Sequence, residues 1–323
     1  MVGMGARDMD GAGHSADRPS EIPKAGWWDV LLRVKARIGD ASLGVVSAGV
    51  AFNEFFALFP ALVAAVSVYG LVADAATVEA QMAALTDVLP AQAREVIAGQ
   101  LRSIAGAPSP SLGLSTVISL LVALWGAARG IKAMIEGLNL AYDENEKRGF
   151  FRLNLTAVGF TFAAVVFGAA ALTLVAGLPV IIGLLPLGDA GRLLVSLLRW
   201  PLLAMFLLAG LAVVYRYGPS RERPRWRWVS WGAALAAVLW LVGSAAFSLY
   251  VANFGKLNET YGSMAAVAVL LLWFQLTSFV VLLGALLDAE LEHQTARDTT
   301  EGPPRPLGRR GARMADRVAA RSR

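Results

Sequence analysis

Residues 113–143 read GLSTVISLLVALWGAARGIKAMIEGLNLAYD, and this stretch decides the fold. From Gly113 to Ala128 there is no charged side chain, then Arg129, Lys132, Glu136, Asn139 and Asp143 follow at spacings of three and four. A helix with about 3.6 residues per turn brings all five onto one face. A strand would scatter them over both faces. The stretch is therefore a helix that begins apolar enough for a bilayer and carries its charges in the second half. Lys132 and Glu136 form an i,i+4 pair of opposite sign. Gly126 and Gly130 make a GxxxG step that lets another helix come close to the charged stripe.

The rest of the chain is built the same way. Of its 323 residues 56% are hydrophobic and 16% charged, and the mean hydropathy is +0.57. A water-soluble domain carries roughly 25% charged residues, so this chain has too few to cover a wet surface. Apolar blocks predict six spanning helices at about 43–73, 113–142, 153–184, 194–217, 229–254 and 260–289. The cuts fall at Gly106 to Pro110, Asp143 to Arg152, Gly188 to Arg192, Arg216 to Arg227 and Asn253 to Gly262. Ten-residue alternating strands are absent, which excludes a barrel of the outer-membrane kind. The expected class is all-α and polytopic.

Outside the spans, residues 1–26 hold few large apolar side chains and read as a disordered cytoplasmic tail, residues 27–294 as the six-helix domain, and residues 295–323 as a basic cytoplasmic tail. Trp27, Leu31, Val34 and Ile38 oppose Asp29, Arg33, Arg37 and Asp40 in a short interfacial helix. In the first outer loop Val78, Met82, Leu85 and Leu89 form one apolar stripe and Ile97, Leu101 and Ile104 another, an amphipathic pair parted by Pro90. Most of the 29 lysines and arginines lie in the N-terminal segment, the second and fourth loops and the C-terminal tail. The positive-inside rule then puts both termini in the cytoplasm of a bacterial inner membrane.

Charged and amide side chains within spanning helices are the functional candidates, because burying them in hydrocarbon costs several kcal/mol. Besides the second-helix stripe they include Asn53 and Glu54, near mid-membrane in the first helix and followed by Pro60. The candidate substrate-binding set is Glu54, Arg129, Lys132, Glu136 and Asn139. Each has a bland alternative, packing for Glu54 and a solvated helix stem for the charges that end the second span. Gln275, Thr277 and Ser278 suit interhelical hydrogen bonding, and Asp288, Glu290 and Glu292 read as a solvated helix end.

Several chemistries are excluded or disfavoured. With no cysteine, there are no disulfides, thiolate metal sites or cysteine nucleophiles. His14 and His293 lie outside the apolar blocks, no set of residues has metal-ligand spacing, and no P-loop is present, so neither metal nor cofactor is expected, nor an enzymatic role. The arginine and tryptophan alternation of Arg221 to Trp228, and the tail arginines Arg309, Arg313, Arg317 and Arg321, fit anionic lipid at a headgroup layer better than nucleic acid. Expected partners are thus membrane lipids, with a second copy or an envelope protein as a further partner.

Four groups of residues carry a family resemblance: Ala51-Phe52 with Phe55 to Pro60; Leu124-Trp125-Gly126 with Gly137 to Tyr142; Tyr250 and Asn253-Phe254-Gly255 with Thr260 to Ser263; and Leu283-Gly284-Ala285 with Ala289 to Glu292. In order and spacing they resemble the YihY/BrkB family of inner-membrane proteins over about residues 27 to 294. The resemblance implies six membrane helices and members once labelled ribonuclease BN, a label generally regarded as mistaken. It also implies links to serum resistance and to export of envelope lipid. The chain departs from the family at Asn53 and Glu54, commonly aromatic or small there, at Leu286, often acidic, and at Asp288, often Asn. The function expected is transporter-like handling of an anionic lipid or solute, the alternative being a non-transporting envelope scaffold.

Overall fold

The computed structural model describes residues 13–70, 114–172, 174, 189–253 and 263–319. The amphipathic pair expected around Pro90 lies outside the described residues, as do residues 1–12 and the turn at 254–262. Seven α-helices make up the described chain: α1 Lys24–Asp40, α2 Leu43–Gly70, α3 Leu114–Ala141, α4 Phe150–Leu172, α5 Asp189–Tyr217, α6 Trp226–Asn253 and α7 Ser263–Gln294. The fold class is all-α, with no strand among the described residues beyond one isolated bridge between Pro224 and Thr300.

Among the described residues four stretches are long and apolar enough to cross a membrane: Leu43–Ala61, Phe150–Ala171, Trp226–Val251 and Val267–Gln294. Pro201–Tyr217 is a shorter apolar helix. The helix α3 is as long as its neighbours, but Arg129, Lys132 and Glu136 interrupt its apolar run.

The helix α7 is the hub, packed against α6, α2, α1 and α3. Two close crossings fix its surroundings, and both use glycine. Gly126 and Gly130 of α3 lie against α2, where a Cβ on Gly126 would stand 2.9 Å from the Pro60 ring and one on Gly130 3.2 Å from the Glu54 backbone. The GxxxG step thus does what its spacing predicts, and α2 runs on through Pro60 with that ring seated in the notch. On the other side of α7, a Cβ on Gly232 would collide with the Gly284 carbonyl and the Asp288 carboxyl, so α6 and α7 touch backbone to backbone.

The buried core is concentrated at one end of the bundle. Val30 and Val34 of α1, Leu43 of α2, Leu138 and Tyr142 at the end of α3, Tyr215 of α5, Trp228 and Ala233 of α6, and Leu282, Leu286 and Leu291 of α7 close together there. This is the end where α3, α5 and α7 finish and α2, α4 and α6 begin. Elsewhere large apolar side chains face outward, among them Phe52, Phe56, Phe162, Val242 and Leu249. In a lipid-facing bundle that is the expected surface, because lipid tails solvate such side chains as well as a protein core does.

Two expectations need correction. The residues read as a disordered tail include 13–22, which in fact form a turn and a short 3-10 helix, with His14, Ala16 and Ile22 buried. They pack against the segment after 294, which lies back on the bundle as far as Ala319. The reason is mutual: the Ala296 N–H and the Thr295 hydroxyl bond to the carbonyls of His14 and Ala16, so each terminus supplies the surface the other lacks. The helix α1 is also turned differently from its amphipathic reading. Its arginines Arg33 and Arg37 point inward, while Trp28, Leu31 and Leu32 are exposed.

Candidate functional site

The acids at the end of α7 are the largest departure from the sequence reading. Asp288, Glu290 and Glu292 are fully buried rather than solvated. Residues 288 and 292 share one helix face and 290 turns nearly opposite, so the three acids meet different partners. Glu290 accepts from Arg33 at 2.7 Å and Arg37 at 3.0 Å, both on α1. Glu292 takes a two-pronged hydrogen bond from Arg221, at 2.7 and 3.0 Å, and a third from the Thr299 hydroxyl at 2.8 Å. Asp288 accepts from the Gly232 N–H at 2.7 Å through one oxygen, and its other oxygen has no hydrogen-bond partner among the described residues.

Arg221 itself lies 4.0 Å above the Tyr142 ring. Burial works against its charge, but the Glu292 carboxylate, ahead of Tyr142, raises its pKa above the ordinary arginine value. Such a pair needs every proton and lone pair satisfied to offset its desolvation. Here Thr299 and the ring complete much of that set. No sequence signal announced these partners, because Arg33 stands 257 residues from Glu290 and Arg221 stands 71 from Glu292.

A second network ties the loops at this end. Asn139 donates to Glu146 at 3.0 Å and accepts from the Ser220 N–H at 2.7 Å, so both ends of its amide are engaged. Burial raises the Glu146 pKa, but the Arg148 side chain and N–H, together with Asn139, outweigh it and hold that carboxyl down at about 2. Asn139 was expected among the substrate-binding residues, yet in the structure it is a buried tie between loops.

The remaining candidates do not converge. Glu54 on α2 accepts from the Ser278 hydroxyl of α7 at 2.9 Å, which gives Ser278 the interhelical role expected of it. Thr277 has one too, accepting from the Trp240 indole at 3.2 Å. Lys132 turns the other way, donating to the side-chain amide oxygen of Asn154 on α4 at 2.9 Å, with its ammonium 5.4 Å from the Trp125 ring centre. Arg129 and Glu136 are exposed on the outer side of α3. Chemically, Lys132 meets an amide dipole and an aromatic face, neither of which cancels its charge. Among the described residues no three His, Asp or Glu side chains are grouped to hold a metal ion.

The comparisons place this architecture among known sequences. The family model described as Virulence factor BrkB matches residues 34–307. A Bacillus subtilis protein named ribonuclease-like protein YfkH is 33% identical over 192 residues, covering 57% of this chain and 68% of the relative. A UPF0761 membrane protein of Tolumonas auensis is 35% identical over 95 residues, 29% of this chain and 31% of the relative. Another from Histophilus somni is 42% identical over 67 residues, 21% of this chain and 23% of the relative. The chain thus spans less than a third of these two membrane proteins. No solved structure matches it. The chain belongs to the BrkB family of membrane proteins.

Proposed function

We propose that this protein crosses a bacterial inner membrane six times, with both termini cytoplasmic, and binds an anionic lipid or solute of the envelope at the middle of α3 as a transporter-like, non-enzymatic protein. The observation that carries the reading is Lys132. It lies about 14 Å from the end of α3 at Ala141, at 1.5 Å per residue, well inside a helix of bilayer length. Among the described residues it makes one hydrogen bond, to the neutral Asn154, and its ammonium stands over the Trp125 ring. One turn earlier Arg129 is exposed on the same helix. Two cations at that depth, neither ion-paired among the described residues, suit a phosphate or carboxylate headgroup.

Lipid at the charged end has independent support. Trp28, Trp226 and Trp231 are exposed there beside arginine-rich loops, as in an interfacial aromatic belt. A nuclease reading is not adopted, because Glu290 and Glu292, two of the acids clustered at that end, are saturated by arginines rather than open to a substrate or ion.

A scaffold without a transport path is favoured by one observation, the separation of Glu54 from the α3 cations by their different helix partners. Native mass spectrometry of protein released from mild detergent separates the two, comparing wild type with Arg129→Ala and Lys132→Gln. The proposal expects an anionic lipid retained by the wild type and lost from both variants. Equal, nonspecific lipid on all three would leave the scaffold reading.

A further inference from the structure

The chain after α7 forms an arm whose two halves are held very differently. Its root, residues 295–310, is anchored through Thr295, Thr299, Thr300 and Arg310, with residues 301–309 exposed between the anchors. Thr299 reaches Glu292, Arg225 reaches the Thr300 carbonyl at 3.0 Å, and Arg216 pairs with Glu301 at 2.9 Å. The Arg310 guanidinium then donates to the carbonyls of Ala296 at 2.6 Å and Arg297 at 2.9 Å. Burial would raise the Asp298 carboxyl in this root, but the Arg305 N–H, the Thr300 hydroxyl and its N–H, and the Arg310 charge hold it below its ordinary range.

The tip, residues 311–319, begins at Gly311 with φ +73°, a left-handed backbone that a residue with a Cβ adopts only with strain. It leans on the turn after α3. The Arg313 N–H donates to Glu144 at 2.6 Å, and the Arg313 and Arg317 guanidinium groups stand 3.7 and 3.5 Å from the Asp143 carboxylate. Both guanidinium pairs are open to solvent, with Arg317 65% and Asp143 45% exposed. Pairs of this kind hold weakly and are screened by salt. The buried side chains of the tip are three alanines, Ala312, Ala315 and Ala319, which cover little area, and Met314, which joins the core; Arg310 of the root also holds the Ala315 carbonyl at 2.7 Å.

We infer that the arm tip is an electrostatic latch, docked on Asp143 and Glu144 beside neutral lipid and drawn off by anionic headgroups at the membrane surface. Arg305, Arg309 and Arg317 are exposed around it, with Leu307 48% exposed between them. An anionic bilayer surface attracts such a cluster as a group, whereas the dock offers only Asp143 and Glu144. Other charges near the dock are Lys147, already paired with Glu144, and Arg37, whose guanidinium touches the Met314 sulfur. Release of the tip therefore bares the Arg37 end of α1. The inference shares with the proposed function only the membrane placement, and a missing lipid site on α3 would leave it standing.

Hydrogen exchange of peptides covering 311–319 tests it, in nanodiscs of phosphatidylcholine alone and with roughly a third phosphatidylglycerol. The amides that report are Arg313 and Ala319, bonded to Glu144 and to the His293 carbonyl. Exchange should quicken on the order of tenfold in the anionic discs. Asp143→Asn should quicken it in neutral discs as well. Asp143 has φ +53°, which Asn tolerates, so this variant removes the charge and keeps the turn. Exchange that stays within about twofold on adding phosphatidylglycerol overturns the inference, and so does an Asp143→Asn protein as protected as the wild type in neutral discs.

Discussion

The charged end of the bundle and the middle of α3 use the same side chains for opposite ends. At the charged end the buried carboxylates of Glu290 and Glu292 are matched, Glu290 by two arginines and Glu292 by Arg221 and a threonine. In the middle of α3, Lys132 makes its contacts with neutral groups and Arg129 is exposed, and among the described residues neither is ion-paired to an acid. Matched charge builds a rigid closure, since removing either partner strands the other in a dry place. Unmatched charge has no such structural use, and it costs free energy that a structure retains where a ligand repays it.

The sharpest way to break the comparison is Glu292→Ala. It leaves Arg221 buried without its carboxylate and should destabilise the protein by about 3–5 kcal/mol, read by thermal unfolding in detergent. A double variant that also replaces Arg221 with Met should recover much of that loss. If the single variant unfolds like the wild type, the charged end is not held by this pair.

Next in size is Gly284→Leu, whose side chain enters the contact with Gly232 and Tyr215 and should cost about 1–3 kcal/mol or separate α6 from α7. Acid should then act mainly at the charged end. Because the folded Glu146 carboxyl sits at about 2 and its ordinary value is 4.5, its contribution is present above 4.5 and is lost as pH falls from there towards 2. Glu146→Gln should therefore flatten that part of the acid unfolding curve, and an unchanged curve would count against the Asn139 and Arg148 contacts. The smallest effect belongs to Arg129→Gln, expected within about 0.5 kcal/mol of wild type because an exposed, unmatched side chain supports nothing. A large loss there would move Arg129 into the structural group.

What was legible in the sequence divides along the same line. Apolar blocks and the GxxxG step at Gly126 and Gly130 gave the helices and one of their closest contacts, because both signals are local and depend on period alone. The inward turn of Arg33 and Arg37 and the burial of Glu290 and Glu292 were not legible. Their partners lie on distant segments, and a carboxylate at a helix end looks the same in sequence whether water or arginine meets it. The partners of Asn139 were not legible for the same reason, since its spacing matches the α3 stripe while its contacts come from loops. For Lys132 and Glu54 the sequence showed polar side chains within apolar helices, but periodicity says nothing of which neighbouring helix each one faces.

The central claim is that mid-α3 is open to an anionic ligand and the charged end is closed. Because the chain has no cysteine, it can be tested with single replacements, Lys132→Cys against Leu291→Cys, the latter fully buried among the α7 acids. Membrane-embedded protein is treated with a charged, water-soluble thiol reagent from each side, with and without added anionic lipid. The account predicts labelling at 132 that anionic lipid suppresses, and none at 291. A position 132 that stays unlabelled from both sides while 291 reacts would contradict it.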